Sequence, residues 1–330
     1  MKQKKVLIAV AATVLLVAVA IGFYVDYLMS RVYYVDPETT PTLTQQELDS
    51  LLAEEIIPQT TAKEQTSHWQ KAYLPIAKED RVINILLIGQ DRRAGETRAR
   101  SDAMILCTFH TGSNTLTMTS FLRDLWVRIP GYGDNKLNAA YVAGGMKLLN
   151  ETLEKNFGVH IDGNVEVDFQ QFTQIIDMLG GVEIELRSDE AKYLNRALSS
   201  KDMTSGVQTL TGQQALCYAR IRSLDSDGDF SRTGRQRKVM EAVICKYRSA
   251  GVKKALTLLD DILPMVTTDM SKVQIMGYGW ELLPMLSSMK IVSQRIPEEG
   301  TYTTPVIRNM SVLLADMDAA RKMLQQTMEP

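Results

Sequence analysis

Between Tyr218 and Arg237 the sequence runs Y-A-R-I-R-S-L-D-S-D-G-D-F-S-R-T-G-R-Q-R. Arginines at 220, 222, 232, 235 and 237 surround aspartates at 225, 227 and 229. A planar guanidinium fork holds two oxygens at once, so this density suits a phosphate ligand. The same run also serves as a solvated charged helix with ordinary ion pairs. Arg232, Arg235 and Gln236 fall at i, i+3 and i+4, on one face of the first turns of an expected helix. Free N–H groups and the dipole at that end already favour an anion. Arginines placed there make sense if they close on one.

A second set of chemical groups lies earlier. An apolar strand, Arg81 to Gly89, ends in Gln90-Asp91-Arg92-Arg93. Arg100-Ser101-Asp102 opens a second strand, Ala103 to His110, and a third, Thr115 to Phe121, ends at Arg123-Asp124. A hairpin brings the end of the third strand beside the start of the second. Antiparallel pairing of the first with the second then puts Asp91, Arg100, Asp102 and Arg123 on one rim. Two carboxylates and two arginines suit one Mg²⁺ and a phosphate, because Mg²⁺ takes one or two carboxylates and fills its octahedron with water and substrate oxygens. A pair of rim salt bridges is the competing use of the same residues.

Alternating elements must position these groups. Asn138 is expected to cap a helix to about Phe157, stopped by Gly158. Gly144-Gly145 inside it each cost about 1 kcal/mol relative to alanine, which calls for a close packing contact. Val165–Asp168 reads as a strand, Phe169–Leu179 as a helix and Val182–Leu186 as a strand. Thr211 caps a helix that runs into Arg220 and Arg222, and Asp229 or Ser231 caps one from about Arg232 to Ala250. In the tail, Lys253 to Leu263, Ser271 to Leu286 and Asp316 to Met328 read as amphipathic helices, with a strand near Ile291. Strands alternating with helices imply an α/β fold: an α-β-α layered domain whose central mixed β-sheet is flanked by helices.

The chain of 330 residues carries a net charge of only −2, so the arginine density is local and a general nucleic-acid surface is excluded. Cys107, Cys217 and Cys245 lack metal spacing and are expected as buried, reduced thiols. Lys2, Lys4 and Lys5 precede Val6 to Val25, which contain no charge. Twenty residues at helical rise span about 30 Å, a bilayer core. Tyr24, Tyr27, Tyr33 and Tyr34 follow as an interfacial belt. This predicts a cytoplasmic tail at 1–5, a transmembrane helix at 6–25, an extracytoplasmic stalk at 26–80 and a catalytic domain at 81–330, on the outer side of the cell membrane. A signal peptide cleaved after Ala18-Val19-Ala20 is the alternative. Within 26–80, Thr44-x-x-Glu47 forms a capping box with Leu43 and Leu48 as a staple, starting a helix on a stalk or on the domain itself.

G-Q-D-R-R, R-S-D-A-M, S-F-L-R-D, K-L-N-A-A-Y, G-x-Q-x-L-T-G-x-x-A-L-x-Y-A-R-I-R, D-F-S-R-T-G-R-Q and I-P-E-E-G-T-Y occur in that order. Together they resemble the LytR-CpsA-Psr family, from about Val82 to the carboxyl tail. The resemblance implies a membrane-anchored phosphotransferase in a Gram-positive envelope. Such an enzyme moves a glycopolymer, teichoic acid or capsule for example, from a polyprenyl-diphosphate carrier to the 6-hydroxyl of N-acetylmuramic acid in peptidoglycan. It implies Asp91 and Asp102 as Mg²⁺ ligands. It implies Arg100, Arg123, Arg220, Arg222, Arg232, Arg235 and Gln236 around the diphosphate. Asp91, Arg123 and Asp229 are the implied catalytic groups, Asp229 orienting arginines or serving as general base. Phe121-Leu122 stand where the family often has Ile-Pro, and Arg237 where a second glutamine is common. A polyprenyl-diphosphate hydrolase and a non-catalytic regulator that binds the lipid carrier remain the rival functions. His68, His110 and His160 lie outside the motifs, and no serine sits in a nucleophile elbow. The polyprenyl tail requires an apolar groove, which sequence does not locate.

Overall fold

The computed structural model describes residues 24–44, 46–48, 75–76, 80–91, 101–249 and 260–329. The strands include β1 (Tyr33–Tyr34), β2 (Val82–Gln90), β3 (Ser101–His110), β4 (Thr115–Phe121), β5 (Trp126–Ile129), β6 (Gly133–Lys136), β7 (Gly163–Asp168), β8 (Val182–Leu186), β9 (Gly206–Leu210), β10 (Thr267–Thr268) and β11 (Lys290–Ile296). Seven of them form one mixed sheet in the order β1-β10-β7-β2-β3-β4-β11. The helices include α1 (Leu137–Phe157), α2 (Phe169–Met178), α3 (Ser188–Ala197), α4 (Gly212–Ala219), α5 (Asp229–Ser249), α6 (Lys272–Leu282) and α7 (Met317–Met328).

Strand β2 is buried on both faces, which is why its sequence is almost continuously apolar. Leu86 and Ile88, with Met104 and Leu106 of β3, pack on one side against Leu149 and Leu153 of α1 and Leu324 of α7. On the other side Ile105, Cys107, Leu116 and Met118 meet Met240 and Ile244 of α5. Ile83 and Ile85 meet Ile275 and Tyr278 of α6 on that same side. Helices thus cover both faces, and the layered α-β-α arrangement with a mixed sheet is observed. Among the described residues no helix is long and apolar enough to cross a membrane. The expected span at 6–25 lies outside them except for Tyr24 and Val25.

Several local expectations change. Helix α1 starts at Leu137, and Asn138 lies inside it. Its first N–H groups need no side-chain cap, because Leu137 donates to the Leu125 carbonyl at 2.8 Å and Asn138 to the Arg123 carbonyl at 3.2 Å. Gly145 adopts φ 63° and kinks α1, and Leu43 donates to the carbonyl of neighbouring Ala143 at 2.8 Å. The reciprocal Thr44–Glu47 bonds are present, and Leu48 is fully buried in the core. With β1 in the main sheet, the folded unit therefore includes parts of 26–80 expected as stalk. The expected helix Ser271–Leu286 ends at Leu282 and tightens to a 3₁₀ turn over Leu283–Ser287, because Pro284 supplies no N–H. The helix expected at 253–263 falls mostly outside the described residues. The cysteines are unpaired; Cys107 is buried, with its thiol pushed up to about 12 by burial. Cys245, expected buried, is exposed.

Candidate functional site

The register of the hairpins assembles the rim. Strand β3 runs antiparallel to both β2 and β4, with Gly89 opposite Ala103 and Gln90 opposite Ser101. Asp102 is therefore an extra residue in the ladder. A bulge at a strand end re-aims a side chain, and here the Asp102 carboxylate accepts from Arg123 Nη1 at 2.8 Å. Arg232 Nη1 is 3.8 Å from the same oxygen. Asp91 lies one residue beyond β2, with Arg220 Nη2 at 3.6 Å.

Helices α4 and α5 bring the remaining guanidiniums. Thr211 and Gln214 make a capping box at the start of α4, and Arg220 ends that helix. Gly212 of α4 is required by a close approach to α2, since a Cβ there would lie 2.1 Å from the Thr173 carbonyl oxygen. Arg220 stacks over Phe169 of α2 at 4.6 Å from the ring centre. Helix α5 begins at Asp229 itself, one turn earlier than expected. Asp229 accepts from Arg232 Nη2 at 2.9 Å; Arg222 Nε is 3.6 Å away and Arg123 Nε 4.0 Å.

Arg232 is 2% exposed, and its Nε has no hydrogen-bond partner among the described residues. Burial pushes its pKa down to about 10, and the like charges of Arg222 and Arg123 add to the effect. Burial also opposes charge on Arg123, but Asp124, Asp102 and Asp229 outweigh it and raise its pKa. Arginines held this close, one of them nearly dry, favour a further anion.

Behind this mouth runs a cavity of about 570 Å³. Leu87, Ile105 and Val165 of the sheet form its floor, and Phe172, Leu216 and Val243 of α2, α4 and α5 contribute to its walls. Asp102, Arg123, Arg220, Arg222, Arg232 and Gln236 line it at the charged end. The cavity is thus an apolar slot between the sheet and three helices, with the charged groups at one end.

Of the expected site residues, the structure gathers Asp91, Asp102, Arg123, Arg220, Arg222, Asp229, Arg232 and Gln236. Arg100 lies outside the described residues. Arg235 is a correction: it does not line the cavity. Its Nε donates to Glu190 at 2.8 Å, its Nη1 to the Ile221 carbonyl at 3.3 Å and its Nη2 to Asp225. Its guanidinium is committed to tying α5 to α3 and to the loop before α5. Asp225, in the loop before α5, is half of that clamp. Arg237 turns elsewhere, donating to Ser293 Oγ at 2.6 Å. Sequence reasoning missed Lys136, whose ammonium is 2.8 Å from Asp124, although it opens the K-L-N-A-A-Y motif.

The carboxylates at Asp91 and Asp102 suit a hard cation by donor type and by position at adjacent strand ends. No group of three ligating side chains occurs among the described residues. Mg²⁺ held there would draw the rest of its shell from water and substrate oxygens.

The LytR_cpsA_psr family matches residues 51–329. The polyisoprenyl-teichoic acid–peptidoglycan teichoic acid transferase TagT of Bacillus subtilis (strain 168) is 34% identical over 216 residues, covering 64% of the chain and 66% of that protein. The regulatory protein MsrR of Staphylococcus aureus (strain Mu50) is 38% identical over 168 residues, 50% of the chain and 49% of that protein. The chain thus spans about half to two thirds of the length of these curated relatives. A solved structure of the family protein YwtF (TagT) with bound octaprenyl pyrophosphate lipid aligns with a TM-score of 0.58 and 27% identity, over 81% of the chain and 97% of that one.

Proposed function

The chain belongs to the LytR-CpsA-Psr family, and from that premise we propose that it is a phosphotransferase that moves a glycopolymer from a polyprenyl-diphosphate carrier to the 6-hydroxyl of N-acetylmuramic acid in peptidoglycan. One observation carries this reading: a cavity apolar along its length ends in Arg123, Arg220, Arg222 and Arg232. That is the shape and polarity of a lipid diphosphate. The names of the TagT relative and of the lipid-bound neighbour agree with it. Teichoic acid or capsular polymer is the proposed cargo. The uncharged run at 6–25 supports a single-pass anchor with the domain outside the cell membrane.

The chemistry is an in-line displacement at the sugar-proximal phosphorus. The acceptor oxygen forms a bond to phosphorus as the bond to the bridging oxygen breaks, and polyprenyl phosphate leaves. Asp229 takes the hydroxyl proton. Arg123, Arg222 and Arg232 neutralise charge on the transferred group, and Arg220 that on the departing phosphate. Mg²⁺ at Asp91 and Asp102 would supply further charge neutralisation when bound.

The test is full-length protein with labelled lipid-linked polymer and peptidoglycan, with Mg²⁺ and with chelator. Label linked to peptidoglycan is expected, and only with the metal present. Release of label without linkage would replace transfer by hydrolysis. Donor binding with neither outcome would leave a regulator that holds the lipid carrier.

The apolar wall makes its own prediction. Val243→Trp fills the cavity away from the charged mouth. It is expected to weaken binding of a long polyprenyl diphosphate while sparing inorganic pyrophosphate, as read by titration calorimetry. Losing one or two buried branched units costs about 1.5–3 kcal/mol, or about 10- to 100-fold in Kd. Equal weakening of both ligands would place the lipid elsewhere.

A further inference from the structure

A second pocket, of about 300 Å³, meets the lipid-shaped cavity at Arg123. The two differ in character. Asp102, Arg222 and Arg232 line only the first. Asp124, Lys136, Asp229, Phe230 and the segment 311–313 line only the second. Asp229 thus presents a carboxylate to the second pocket while its partners Arg222 and Arg232 face the first and Arg123 faces both.

The walls of this second pocket are fixed. Leu313 donates to the Asp124 carbonyl at 2.8 Å, and Trp126 to the Leu313 carbonyl at 2.9 Å. Phe230 is held between Tyr302, at 4.7 Å between ring centres, and the Arg295 guanidinium, at 4.3 Å. The Lys136–Asp124 pair sets an ammonium and a carboxylate 2.8 Å apart in the wall. An ammonium donor, carboxylate acceptors and an aromatic edge suit a ligand rich in hydroxyls and poor in charge. Asp124 and Asp229 disfavour another phosphate there, since Lys136 is neutralised by Asp124 and Arg123 is paired with Asp102.

We propose that this pocket seats the acceptor sugar, with its nucleophilic hydroxyl at Asp229 and with Lys136 and Asp124 binding neighbouring hydroxyls. The proposal rests on the transferase reading above and adds to it where the acceptor sits. The two substrates then enter by separate openings and meet at Arg123. The hydroxyl proton passes to an Asp229 oxygen, the oxygen–phosphorus bond forms, and polyprenyl phosphate leaves into the first cavity. Lys136 and Asp124 are positioning residues; they orient the sugar and touch neither phosphorus nor the reacting oxygen.

Ser311→Trp and Lys136→Met test the assignment in full-length protein. Ser311 is exposed at the rim of the pocket, so tryptophan there narrows the opening without entering the core. With uncross-linked glycan fragments as acceptor, both variants are expected to raise the acceptor KM about tenfold or more. Kd for a polyprenyl diphosphate should stay within about twofold of wild type, which also shows that the variants fold. An unchanged acceptor KM in Ser311→Trp, while wild type transfers, overturns the acceptor pocket alone. Loss of donor binding in both variants overturns it too, since the two pockets would then be one site. Wild-type protein that binds donor and transfers to no glycan overturns the transferase reading, and the acceptor pocket falls with it.

Discussion

Arg232→Met is expected to lower transfer about 10³-fold while leaving the thermal midpoint unchanged or slightly higher. The first half follows from placement. Arg232 lies between Asp102 and Asp229, at 3.8 and 2.9 Å, and lines the cavity proposed for the diphosphate. Removing one preorganised donor to developing charge costs about 10²–10³ in kcat, and a buried guanidinium is at the upper end because water replaces it poorly. The second half follows from burial. Arg232 is 2% exposed, its charge is opposed by burial and by the like charges of Arg222 and Arg123, and removing one partner of a buried pair is costly where it strands the other charge. Asp229 keeps Arg222 as a partner, at 3.6 Å. Calorimetry and initial rates on the same preparation decide it. A midpoint lowered by several degrees would make Arg232 a structural clamp, and unimpaired transfer would remove it from the site.

The ends of the strands were legible in the sequence. Hairpin geometry alone put Asp91, Asp102 and Arg123 on one rim, because antiparallel register leaves few choices. The capping box at Thr44 and the cap at Thr211 were legible for the same reason: each is a local bond pattern within one turn. The bulge at Asp102 was not. It depends on how β2 and β3 end together, and neither strand shows it alone. Asn138 misled because a good capping residue beside a helix start is a strong local signal, whereas the N–H groups there were satisfied by carbonyls of the β4–β5 connection. The cavity was invisible because it draws on three strands and three helices that meet only in the folded chain. Its residues read as ordinary core in each element taken singly. Lys136 was in view within a motif, but its role needs Asp124, brought close by the β5–β6 hairpin.

Arg235 separates these two kinds of information most sharply, and its replacement should do the reverse of Arg232→Met. Spacing at i+3 from Arg232 places it on nearly the same face of α5, yet spacing does not say where a long side chain ends. It ends on Glu190, 45 residues upstream, with both side chains 4% exposed. Burial opposes its charge, but Asp225 and Glu190 outweigh that and raise its pKa. Arg235→Met would leave the Glu190 carboxylate buried without its main cation. Breaking such a pair costs about 3–5 kcal/mol, or roughly 10 °C in midpoint for a domain of this size. Donor affinity per folded molecule should be unchanged, because Arg235 does not line the cavity. The double variant Arg235→Met with Glu190→Gln should recover about half the loss, since the stranded charge is the larger part of it. A donor Kd raised tenfold with an unshifted midpoint would return Arg235 to the diphosphate and leave Glu190 and Asp225 as its supports.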